Sequence, residues 1–113
     1  MENDLYREIE QKNKDLEISI KKLRQHGADL AEKERKYRIL LRTESLKLRS
    51  ENMPVTLIDK VVCGIPEVAD ARFERDVAES LYDANREAIN VFKLQLRLLE
   101  SQLQREWGQA GRE

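Results

Sequence analysis

ENMPVTLIDKVVCGIPEV, residues 51–68, decides how this chain folds. It holds both prolines, Pro54 and Pro66, the only cysteine, Cys63, and one of the four glycines, Gly64. The sequence on either side is charged and patterned for helix. Proline disfavours helical backbone in the residue before it, so Pro54 ends the segment upstream. Thr56 suits the N-cap of a short helix over 57–63, with Gly64 as its C-terminal stop. Pro66 suits the first turn of the helix that follows. Leu57, Ile58, Val61, Val62 and Ile65 make the piece apolar, so it reads as a helical plug with a surface to bury. Cys63 in that setting reads as a small core residue.

Residues 2–50 contain no proline and one glycine. Ile9, Leu16, Leu23, Leu30 and Tyr37 recur by sevens, and a companion column offset by four holds Asn13, Ile20, Gly27, Glu34, Leu41 and Leu48. Two such columns form a coiled-coil seam, although Asn13, Gly27 and Glu34 weaken it. Residues 67–107 repeat the pattern. Val68, Tyr82, Ile89, Leu96 and Leu103 form one column, interrupted by Arg75, beside Ala71, Ala78, Asn85, Phe92 and Leu99. Val77, Leu81, Ala84, Ala88, Val91 and Leu98 add a second apolar stripe. One exposed helix face requires only one stripe, so this helix is expected to be covered twice, by the first helix and by a second subunit.

At ~1.5 Å rise per residue the two segments are ~69 and ~63 Å long, matched for an antiparallel hairpin. Folding at 51–66 brings together residues whose numbers sum to about 116, placing Leu23 by Phe92, Leu16 by Leu99 and Gly27 by Ile89. Residues 33–49 carry seven cations against two carboxylates, a net +5, and residues 67–87 carry seven carboxylates against three cations, a net −4. An antiparallel hairpin sets these blocks side by side. The expected fold is therefore all-α: two long antiparallel helices, 2–50 and 67–107, joined by the insert 51–66. A frayed tail follows at 108–113, and the hairpins assemble into an oligomeric bundle. Trp107 is expected to close the open end against Ile9 or Tyr6.

The chain has 113 residues and a net charge of −1, with 38% charged and 5% aromatic residues. That composition belongs to long helices, and the charge gives no global field for nucleic acid or an anionic membrane. A single cysteine makes neither an intrachain disulfide nor a CxxC zinc site. The amino terminus has no signal-peptide pattern and no apolar run reaches membrane length, which points to the cytoplasm. No phosphate-binding loop, metal-spaced cluster or catalytic constellation is present. The hairpin separates His26 from Cys63, so the sequence predicts no enzyme, cofactor or metal.

Two surfaces are candidates for binding. Arg35, Arg42 and Arg49 share a face with Arg38 near by, a stripe suited to phosphates of nucleic acid or nucleotide. Pairing with the acidic block competes with that use. A helix-turn-helix reading of the insert fails because its recognition helix, EVADARFERD, is acidic. The apolar residues Leu57, Ile58, Val61 and Val62, with Val77, Leu81, Ala84, Ala88, Val91 and Leu98, are candidates for an oligomer or protein-partner interface.

Residues 41–108, from LRTESLKLRS to LESQLQREWG, resemble small uncharacterised helical proteins encoded by phages and prophages of Firmicutes. That resemblance covers about sixty per cent of the chain. It implies an accessory role such as recombination partner, nuclease inhibitor or anti-defence factor, and transfers no site residue. The secreted helical hairpins with a central Trp-X-Gly turn are of similar length, but here the Trp-Gly pair lies at 107–108.

Overall fold

The structure, a computed structural model, describes residues 2–110. It contains α1 (Glu2–Ser50), α2 (Val55–Val62) and α3 (Pro66–Ala110), with no strand among the described residues. The two long helices and the short insert form a helical hairpin. The second long helix continues through 108–110, where fraying is expected from the sequence; residues 111–113 lie outside the described residues.

The first turn has a cause that the prolines alone do not reveal. Asn52 adopts the left-handed conformation, φ 65°. The Met53 N–H donates to the Leu48 carbonyl at 3.2 Å and the Asn52 N–H to the Arg49 carbonyl at 3.1 Å. This is a Schellman closure, with asparagine in the place glycine usually takes. Pro54 then fixes the exit. It also occupies the N-cap of α2, which has no side-chain cap, so Thr56 does not cap this helix. At the other end Cys63 is the C-cap, and Gly64 does not use a positive φ. The Gly64 and Ile65 N–H groups instead donate to Val61 and Val62 at 3.0 and 3.2 Å. Pro66 opens α3, where its missing donor costs nothing.

Two compact units divide the chain: Gln25–Tyr82, and the segments up to Arg24 and from Asp83 onward. In the first unit Tyr37, Val62, Val68 and Ala71 form a buried cluster, with Leu40, Leu41, Leu48 and Ile65 packed against it. Val62 is only 1% exposed. The insert therefore lies on the last turns of α1. This corrects the register within this unit: Gly27 faces Tyr82 and Glu34 faces Arg75, pairs summing to about 109, so here α1 and α3 are displaced by about one heptad from the expected pairing. The displacement leaves the end of α1 beside α2, where Val62 and Ile65 need apolar neighbours. A Cβ on Gly27 would stand 3.4 Å from the Tyr82 ring.

In the second unit Leu5, Ile89 and Leu96 are buried. Here α1 turns Lys12, Ser19 and Leu23 inward and leaves Asn13 and Ile20 exposed. The companion column of this stretch is thus offset by three, not four. Lys12 stands 5.7 Å above the Phe92 ring, where its charge meets the negative π face. Asn85 donates to the Ser19 carbonyl at 2.8 Å. Gln95 buries its side-chain oxygen without a donor among the described residues, a cost of about 1–3 kcal/mol. Tyr6 and Trp107 line one groove with Leu103 and Gln104, but Trp107 remains 58% exposed.

Candidate interaction surfaces

The ion pairs decide which charges are free to act. Across the hairpin, Lys33 and Lys36 reach Glu74 at 3.9 and 3.4 Å, and Arg75 reaches Glu34 at 3.4 Å. The last pair joins the minority charge of each block, an acid in the basic run to a base in the acidic run. Arg75 also lies 4.7 Å above the Tyr37 ring and bonds Asp76 at 2.8 Å. This explains an arginine in an apolar column: its planar cation covers an aromatic face while its donors reach two carboxylates.

Within α1, Arg35 pairs with Glu32 at 2.7 Å and Arg38 with Glu34 at 2.7 Å. The hydrogen bond from Arg38 holds the Glu34 carboxyl below its usual range, helped by the nearby Arg75 charge. Arg35 does the same for Glu32. Arg42 and Arg49 are exposed and make no ion pair among the described residues. Two members of the arginine stripe are therefore engaged and two are free.

The apolar candidates separate. Ile58 and Val62 are buried inside their own unit, which removes them from any partner surface. Both point inward because α2 presents one face at i, i+4 spacing to α1. Leu57 and Val61 lie to one side of that face and remain exposed, as does Val55. Cys63 is exposed, contrary to its reading as a core residue. On α3, Val77 and Leu81 in one unit and Val91 and Leu98 in the other are exposed. Ala84 is exposed and Ala88 half-buried. Sequence periodicity missed Phe73 and Leu94, 68% and 53% exposed, which flank the same stripe. Their spacing of twenty-one residues, three heptads, is the signal that would have found them.

A groove of about 490 Å³ lies in the first unit between Gly27, Leu30, Ala31, Glu34, Arg75, Glu79 and Tyr82. Its polar groups are an ionised carboxylate already held by two arginines and a second carboxylate, a mixture suited to charge pairing. No group of three or more metal-ligating side chains occurs among the described residues. Among the described residues, no helix is long and apolar enough to cross a membrane. Comparison with family models, curated proteins and solved structures gives no match.

Proposed function

We propose that the protein is a non-enzymatic, self-associating helical interaction module, an accessory factor of the phage or prophage kind that binds a host or phage protein. The observation that carries this reading is the exposed apolar file on α3, with Val91, Leu94 and Leu98 in one unit and Phe73, Val77 and Leu81 in the other. Val77, Leu81, Ala84, Ala88, Val91 and Leu98 follow alternating steps of four and three, with Gln95 completing the series. That is the spacing by which a helix receives another helix. Ala84 and Ala88 permit close approach between the larger residues. Covering each half-exposed side chain contributes about 1 kcal/mol, and two-fold symmetry counts every contact twice.

The cytoplasm is the compartment that fits an exposed thiol kept reduced. The accessory role is the one that the resemblance read in residues 41–108 implies. A second reading, nucleic-acid or nucleotide binding through Arg35, Arg38, Arg42 and Arg49, draws on the free Arg42 and Arg49. It is weakened by the carboxylates already held by Arg35 and Arg38.

Val91→Glu and Leu98→Glu test the leading reading. Sedimentation velocity should show both variants lighter than the wild-type assembly, with helical circular dichroism retained. Variants that sediment like wild type would remove α3 as the association surface.

A further inference from the structure

We propose that the outward face of α1 from Arg35 to Arg49 is a docking site for an acidic, amphipathic helix of a protein partner. The proposal rests on the reading of the protein as an interaction module, but it concerns a different surface from the self-association file. Arg35, Arg42 and Arg49 stand in one column, ~10.5 Å apart along the axis. Ile39 and Leu46 stand in the neighbouring column, 59% and 52% exposed. Both columns lie opposite the side of α1 that buries Tyr37 and half-buries Leu41 and Leu48, so the hairpin's own packing leaves them uncovered.

Charge and spacing together specify the occupant. Among the described residues Arg42 and Arg49 make no ion pair, and the Arg35–Glu32 pair is highly exposed, so it can exchange for an incoming carboxylate at small cost. A helix carrying an acidic column beside an apolar column would match both rows at the same seven-residue period. Beside Ile39 a groove of about 340 Å³, walled by Arg35, Lys36, Leu40 and Thr43 among others, can receive one apolar side chain. A nucleic-acid duplex fits less well, because Ile39 and Leu46 would lie against phosphates that offer them nothing. An anionic membrane also fits less well: two large apolar residues are too few for interfacial insertion.

The test uses the full-length protein and a labelled helical peptide bearing Leu and Glu in neighbouring heptad columns. The control peptide has Lys in place of Glu. Fluorescence anisotropy should show binding of the acidic peptide only, weakening as salt rises. Arg42→Glu should weaken binding about tenfold or more, and the double variant Ile39→Glu, Leu46→Glu should abolish it. These variants should keep the wild-type assembly mass, while Leu98→Glu should lower the mass and still bind peptide. Failure of docking is thereby distinguished from failure of self-association. Equal binding of both peptides, binding unchanged in the variants, or preferential binding of duplex DNA or phosphatidylserine vesicles through the same residues would overturn the proposal. A change of assembly mass in Arg42→Glu would also overturn it, by assigning this face to a second copy.

Discussion

Asn85 on α3 donates its side-chain amide to the main-chain carbonyl of Ser19 on α1, at 2.8 Å and across 66 residues of sequence. The bond is part-buried, and a helix carbonyl can accept it at only one axial position. It therefore fixes the register of the unit that contains it, as a single polar residue in an apolar seam can do. Asn85→Ala should lower stability by about 1 kcal/mol, read as a lower midpoint in thermal unfolding. An unchanged midpoint would mean that the bond does not hold the seam.

Gly27 tests the register of the other unit. Its helical backbone has no positive φ, and an added Cβ would meet the Tyr82 ring at ordinary contact distance. Gly27→Ala should stabilise the helix by about 0.5–1 kcal/mol. Gly27→Leu should destabilise it by about 1–3 kcal/mol through overpacking against the ring. If Leu is tolerated as well as Ala, Tyr82 is not opposite residue 27.

The docking of α2 is tested by two valines of the same short helix. Val62→Ala should cost about 2 kcal/mol, because it opens a cavity in the cluster of Tyr37, Val68 and Ala71. Val55→Ala should be nearly neutral, since Val55 is exposed. Equal effects in chemical denaturation would contradict a docked insert.

Glu34 predicts the sign of one pH dependence. Arg38, and then Arg75, hold its carboxyl below its usual range. A carboxylate depressed on folding contributes stability that is complete above its unfolded pKa and is lost as pH falls through its folded pKa. The folding midpoint should therefore fall on acidification through and below the ordinary carboxylate range. Glu34→Gln should flatten that acid limb while leaving its slope near neutrality unchanged. An acid limb of the same steepness in the variant would assign it to other carboxylates.

Hairpin architecture was legible because both prolines and a glycine cluster at 54–66 and the flanks carry heptads. Register was not: in the first unit a seam that repeats every seven residues maps onto itself when displaced by seven, and in the second the inward column of α1 is offset by three rather than four. Only singular residues break that degeneracy, and Asn85 and Gly27 look like flaws in the seam until their partners are known. The insert posed the same difficulty on a smaller scale. Ile58 with Val62 and Leu57 with Val61 are equivalent i, i+4 pairs, and nothing local selects which one faces α1. The arginine stripe was visible as a stripe, but Ile39 and Leu46 beside it gained meaning only once their exposure was known. On α3 the second stripe was readable in outline, and the structure adds Phe73 and Leu94.

In the proposed assembly the exposed file on α3 brings copies of the chain together. Light scattering on wild-type protein at micromolar concentration measures this most directly. Association through α3 should give a mass at least twice the 13.3 kDa of one chain, falling on dilution where association is reversible. A monodisperse species at 13.3 kDa throughout would contradict it.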